Sequence, residues 1–221
     1  MVGRLIQNRL QHLAESELPD LQCGFRQGRS CTDQIFSVGQ YIEKLNEHHE
    51  TGFLVFIDLR KAYDSISREA LWRGWEILGV PSSFIRLISS FHANMSVQVR
   101  VGESHTPWIP VNNGLRQGCS MAPVLLNLFF ALVLEKWRGE MGSVCPDHAV
   151  SFHFNINGSL FNHPRTPHQS ACAPDLEFAD DAVLIACSHH AAETALITFA
   201  FFWSYYEFHQ DEVHGMWPKP H

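Results

Sequence analysis

The chain has 221 residues, is 45% hydrophobic and 18% charged, and carries a formal charge of −7. That composition excludes wholesale disorder, and the length suits one domain or one and a half. The longest apolar run, Met121 to Leu134, contains Pro123 and Asn127 and is too short to span a bilayer, so no membrane role is expected. The first residues lack an apolar signal core, and the six cysteines form no CxxC, so a soluble intracellular chain with reduced thiols is the expectation, nucleus or cytoplasm left open. Charge is uneven. Residues 1–140 balance fourteen basic against fourteen acidic side chains, and residues 141–221 hold two basic and nine acidic ones. Taken alone, that charge speaks against nucleic acid as a partner, because phosphate neutralisation drives such binding.

In chain order, Ile35, Val38, Ile42 and Leu45 recur at helical spacing within Ser30–Glu50, with Ser30 or Thr32 available as N-cap. Gly52 to Ile57 is continuously apolar and stops at Asp58, which reads as a strand buried on both faces. A helix is predicted from about Ser67 to Gly79 and Pro81, and a shorter one carries Phe84, Leu87, Ile88 and Phe91. Val97, Val99 and Val101 alternate as a half-exposed strand. After a loop over Asn112 to Gly118, Ser120 and Pro123 open an apolar helix to about Trp137. Val150, Phe152, Phe154 and Ile156 alternate before a strong Asn157-Gly158 turn, and 162–175 reads as a His- and Pro-rich loop. Two short apolar segments then flank Asp180-Asp181, giving strand, acidic turn, strand, and a last helix runs from about Ser188 to Phe208. No internal repeat stands out. An antiparallel sheet with helices in separate blocks makes the fold class α+β.

Asp58 ends an apolar strand, and Asp180 and Asp181 sit together with nothing basic within several residues. Like charges this close are costly unless protonated or bound to a cation. Hard oxygen ligands with room for water and phosphate suit Mg²⁺, and two ions about 3.5–4 Å apart serve in-line nucleotidyl transfer. Against this, Asp-Asp is a favoured turn pair and Asp58 could cap a helix. The arrangement of one apolar strand ending in Asp, with a strand–Asp-Asp–strand unit 122 positions later, has few structural reasons to occur.

Four segments in this order, LQCGFRQGRSCTDQIF (21–36), FLVFIDLRKAYDSISREALW (53–72), the NNGLRQGCSMAPVLLNLF region up to 129 and LEFADDAVLIA (176–186), resemble the reverse transcriptase domain of a non-LTR (LINE-type) retrotransposon over roughly residues 4–200. The resemblance implies right-hand polymerase fingers and palm, with an antiparallel palm sheet packed on helices. It suggests partial fingers over 1–50, a palm over 51–200 with an insertion at 141–175, and an atypical tail over 201–221. The family's opening segment, and the primer grip and thumb that follow its last helix, are not recognisable; on this reading the domain is truncated at both ends and the thumb is absent.

The resemblance also implies roles. Asp58 and Asp180 match the metal-binding aspartates, Asp181 the adjacent supporting acid, and the Leu59 carbonyl completes a metal shell. Tyr63 matches the aromatic gate that excludes a 2′-hydroxyl; its bland reading is a core aromatic. Gln117 and Gly118 match a loop contacting the incoming nucleotide and template, though a plain Gly turn before a helix reads equally well. Arg26 and Arg29 match fingers residues near template and triphosphate, where arginine's fork suits phosphate; solvated surface arginines are the alternative. Implied cofactors are two Mg²⁺ ions, or Mn²⁺. Implied partners are an RNA template, a DNA primer and deoxynucleoside triphosphates, with oligomeric state unspecified. Two functions follow: RNA-directed DNA polymerisation by a retroelement domain, or a catalytically inactive remnant with at most weak nucleic-acid binding. The irregular cluster Cys145, His148, His153, His163, His168 and Cys172 is read as a solvated insertion rather than a zinc site.

Overall fold

A computed structural model of the chain describes residues 2–146, 148–149, 151–155, 168–172 and 174–208. The elements are α1 (Val2–Glu17), α2 (Cys31–His48), β1 (Phe53–Asp58), α3 (Ala62–Ser65), α4 (Arg68–Ile77), α5 (Ser82–Ser90), β2 (Ser96–Val97), β3 (Arg100–Val101), β4 (Ser104–His105) and β5 (Ile109–Pro110). They continue with α6 (Ala122–Val144), β6 (Ser151–Asn155), β7 (His168–Cys172), β8 (Asp175–Phe178), β9 (Asp181–Ala186) and α7 (His189–Phe208). The chain divides into two compact units that interleave in sequence: 1–18 with 59–133 and 203–221, and 19–58 with 134–202.

The second unit holds the principal sheet, three antiparallel strands in the order β1-β9-β8. Alternation sends Leu54, Val183, Leu176 and Ile185 to one face, where Val38, Tyr41 and Leu45 of α2 cover them. The other face carries Phe53, Val55 and Ala186, packed on Ala191 and Ala192 of α7 and on Cys145. α2 begins where Ser30 donates its backbone N–H to Asp33 Oδ2 at 2.7 Å, half of a capping box, and ends at His49 with φ 54°. β1 is not buried on both faces as its sequence suggests. It lies at the edge of the sheet, α2 covers only its first part, and Phe56 is 71% exposed next to Asp58.

The first unit is helical around Leu71, Trp75, Ile88 and the apolar part of α6, all buried. Ser67 caps α4, accepting the Ala70 N–H at 3.2 Å, and Gly79 at φ 78° ends it before Pro81. Phe129 and Phe130 stack edge-on against Trp203. Four further details differ from what the sequence predicts. α3 is an additional turn of helix after β1, α6 continues seven residues past Trp137, and the Val97–Val101 segment forms only two-residue pairings because both its faces stay exposed. Part of the supposed 162–175 loop is strand: β7 pairs antiparallel with β6, and β8 starts at Asp175. Asn157-Gly158 and the tail from 209 lie outside the described residues. No helix among the described residues is long and apolar enough to cross a membrane.

Candidate active site

The register of β1 and β9 places Asp58 directly opposite Asp181, as the last of six paired positions running from Phe53↔Ala186. Opposed residues of an antiparallel pair share a face, with Cβ atoms about 4.5–5.5 Å apart. Phe178 also pairs with Asp181, so Ala179 and Asp180 form a two-residue turn, and Ala179 adopts φ 58°. A positive φ at the first turn residue matches the twist of a tight hairpin. Asp58 and Asp181 are exposed and Asp180 is half-buried. Partial burial, then the Asp180 and Asp58 carboxylates, raise the Asp181 pKa above its usual range. Among the described residues none of the three is in an ion pair. Asp58 and Asp181 border a cleft of about 310 Å³ whose walls include Gln34, Val38, Phe56 and Phe178.

This donor set fits a divalent cation of the Mg²⁺ or Mn²⁺ kind. Two facing carboxylates and a third beside them supply hard oxygen ligands and an uncompensated negative charge. Among the described residues no three His, Cys, Asp or Glu side chains converge as a complete metal cage, so an ion here would draw its remaining ligands from water and phosphate, as Mg²⁺ commonly does. Leu59, whose carbonyl is the other expected ligand, follows β1 directly and has a buried side chain.

Beneath the hairpin lies a buried charge cluster that the sequence reading missed. Asp175 and Glu177 sit two apart on β8, both fully buried, and Arg138 of α6 donates to Asp175 Oδ1 at 2.8 Å, Asp175 Oδ2 at 2.5 Å and Glu177 Oε1 at 2.6 Å. One cation facing two carboxylates leaves an excess negative charge. Burial, together with Asp175, therefore pushes Glu177 up to about 8. The i, i+2 acids in Asp-Leu-Glu-Phe, pointing to one face, were the available signal.

Arg26 is buried, and its Nη1 donates to the Pro19 carbonyl at 2.6 Å and the Gln22 carbonyl at 3.0 Å. Its guanidinium thus orders the loop before α2. Arg29 makes an exposed ion pair with Asp20 at 2.6 Å, a contact of small energetic weight.

In the first unit the structure brings Tyr63 and the Gly114–Gly118 loop together. The Leu115 N–H donates to the Tyr63 carbonyl at 2.6 Å and the Gly114 N–H to the Ile66 carbonyl at 2.9 Å. Gly114 has φ 78°, and a Cβ there would lie 2.7 Å from the Asp64 Cα and the Tyr63 oxygen, so only glycine fits. Gln117 is exposed, and Gly118 has φ 82° with open space around it, so backbone conformation and not crowding requires it. Arg68, unremarked in the sequence, holds this loop. Its Nε donates to the Gly114 carbonyl at 2.6 Å, Nη1 to His92 at 2.9 Å and Val111 at 3.1 Å, and Nη2 to Asn113 at 3.0 Å. Five donors in a rigid fork make arginine suited to such a hub.

Comparison with known proteins bears on the family and the fold. Residues 1–209 match the family described as reverse transcriptase (RNA-dependent DNA polymerase). A probable RNA-directed DNA polymerase from transposon BS of Drosophila melanogaster is 31% identical over 130 residues, covering 58% of this chain and 14% of that protein. A retrovirus-related Pol polyprotein from a type-1 retrotransposable element R2 of Popillia japonica is 25% identical over 203 residues, covering 91% of this chain and 25% of its own length. The chain therefore spans a quarter or less of these relatives. Among solved structures, telomerase from Candida albicans matches with TM-score 0.55 at 11% identity, over 89% of this chain and 32% of that one. Apo telomerase from Candida tropicalis matches with TM-score 0.52 at 13% identity, over 94% and 37%. These likenesses show the polymerase fold.

Proposed function

The chain belongs to the reverse transcriptase (RNA-dependent DNA polymerase) family, and from that premise we propose that it carries the nucleotidyl-transfer site of a retrotransposon RNA-directed DNA polymerase. The observation that carries this reading is the register that sets Asp58 against Asp181, with Asp180 at the adjoining turn. Asp58, Asp180 and Asp181, with the Leu59 carbonyl, would hold two Mg²⁺ ions. When bound, such ions supply activation of a primer 3′-hydroxyl and neutralisation of the leaving pyrophosphate. The substrates proposed are an RNA template, a DNA primer and deoxynucleoside triphosphates.

The chain's own residues then have positioning tasks, since phosphoryl-type transfer asks little covalent chemistry of the protein. Asp58 and Asp181 are fixed by strand pairing and Asp180 by the adjoining turn. Tyr63, its carbonyl tied to Leu115, would lie under the incoming sugar and exclude a 2′-hydroxyl. Gln117 would contact nucleotide or template from the exposed loop, with Gly118 permitting close backbone approach. Arg29, whose partner Asp20 is exposed, remains exchangeable for a phosphate; Arg26 acts by ordering the loop.

Primer extension on an RNA template with Mg²⁺ tests the reading, comparing the wild-type chain with the double variant Asp180→Asn, Asp181→Asn. Extension that the double variant loses supports it. A folded wild-type chain that extends no primer would overturn it.

A further inference from the structure

Gln22 contacts both faces of one peptide turn that lies 157 positions away in sequence. Its side chain is fully buried, with Oε1 accepting the Gly24 N–H at 2.7 Å and the Ala179 N–H at 3.0 Å. Nε2 donates to Glu177 Oε2 at 3.2 Å and to the Ala179 carbonyl at 3.4 Å. Two N–H donors on one side and two acceptors on the other leave a single orientation of the carboxamide that satisfies all four groups.

Ala179 needs that hold. It is an L-residue at φ 58°, a left-handed conformation that is unfavourable for residues other than glycine. It lies between Phe178 and Asp181, the last ladder pair, so its own N–H and carbonyl have no strand partner. The backbone around Gln22 reinforces the grip. The Glu177 N–H donates to Leu21 O at 3.2 Å and the Cys23 N–H to Glu177 O at 3.0 Å, an added parallel bridge on the open edge of β8. Gln34 of α2 donates to both of those carbonyls, Leu21 and Glu177. Gly24 presses so closely that a Cβ would lie 2.2 Å from the Ala179 nitrogen.

We infer that Gln22 is a positioning residue for the carboxylate hairpin: by clamping both polar groups of Ala179 it holds Asp180 and Asp181 in the register that faces Asp58. This rests on the reading of those aspartates as cation ligands. Gln22→Met keeps the shape and removes all four hydrogen bonds. Gln22→Glu keeps the acceptor for the Gly24 and Ala179 N–H groups and removes the donors.

The test is amide hydrogen exchange across 175–186, with Mn²⁺ binding followed by electron paramagnetic resonance on the same proteins. Losing one such hydrogen bond corresponds to about tenfold faster exchange. Gln22→Met is therefore expected to speed exchange at Ala179 about tenfold, leave Val55 and Leu184 protected, and weaken Mn²⁺ binding about three- to tenfold. Gln22→Glu is expected to keep Ala179 protected, and it decides the point if the Met variant does not fold. Unchanged exchange at Ala179 in the Met variant, loss of that protection in a folded Glu variant, or a loosened turn with unchanged Mn²⁺ affinity would each overturn the inference. Failure of the wild-type chain to bind Mn²⁺ while Ala179 stays clamped would overturn the metal-site reading and leave the clamp standing.

Discussion

Asp58 and Asp181 end up as cross-strand neighbours although one closes the strand before α3 and the other opens the strand before α7. Strand pairing holds them together, and partial burial first, then the Asp180 and Asp58 charges, raises the Asp181 pKa. Three neighbouring carboxylates outside any ion pair among the described residues leave a negative charge suited to a cation.

Neutralising either acid should separate activity from stability. Asp58→Asn or Asp181→Asn is expected to lower primer extension by at least ~100-fold. In a chelator the same variants should melt at an equal or slightly higher temperature, because they remove repulsion. A clear drop in melting temperature would show that these carboxylates stabilise the fold.

Removing Arg138 should be far more damaging than its exposure on one side suggests. Arg138→Met leaves Asp175 and Glu177 buried without a cation, a loss of about 3–5 kcal/mol when one partner of a buried pair is deleted. Urea denaturation should show the triple variant Arg138→Met, Asp175→Asn, Glu177→Gln losing less than the single variant.

The same cluster makes stability depend on pH. Glu177 titrates at about 8 in the folded chain, against an ordinary value of 4.5. The folded state thus binds more protons than the unfolded state between those values. The contribution is complete below the unfolded pKa and is lost as pH rises through about 8. Thermal melts from pH 5 to 9 should fall for the wild-type chain, and Glu177→Gln should flatten the curve.

Arg68→Lys should loosen the loop that carries Gln117. A lysine cannot reach the Gly114, Val111, His92 and Asn113 carbonyls together. The expected loss is about 2–3 kcal/mol of stability, with faster amide exchange at Gly114 and Leu115. Unchanged exchange at both amides would contradict the role given to Arg68.

Two glycines in that loop should behave differently. Gly118→Ala meets open space and bears only the cost of its positive φ, about 1 kcal/mol. Gly114→Ala must also displace the backbone of Tyr63 and Asp64. Urea denaturation is expected to show the larger loss for Gly114→Ala. Because the displaced backbone belongs to Tyr63, that variant alone should relax discrimination against ribonucleotides in primer extension.

Much of this was legible in the chain itself. Apolar runs that stop at Asp58 and restart after Asp181 marked the strands, because a short buried strand must be apolar and its end need not be; the turn itself falls one residue earlier than the acidic pair suggests, at Ala179-Asp180, because Asp181 pairs with Phe178 and opens β9. Ser30 and Ser67 announced helix starts through local hydrogen bonding that needs no tertiary context. The four ordered motifs pointed to the family to which the chain belongs. Local signals failed where an environment is made by distant parts of the chain. Phe56 reads as core and lies open because β1 is an edge strand that α2 only partly covers. Asp175 reads as loop and is buried because Arg138 supplies its counter-charge.

Local pattern in the chain therefore supplies most of the inventory: the strands and helices around the aspartates, and which carboxylates have no local partner. Which of these groups meet is settled by the folded arrangement alone. Asp58 faces Asp181, Gln22 reaches Ala179, Arg138 pairs with two acids on β8, and Arg68 gathers a loop more than forty residues away. The reason is physical. Periodicity and capping are written in neighbouring residues, whereas a hydrogen bond or ion pair across the fold depends on register and packing, which no single segment contains.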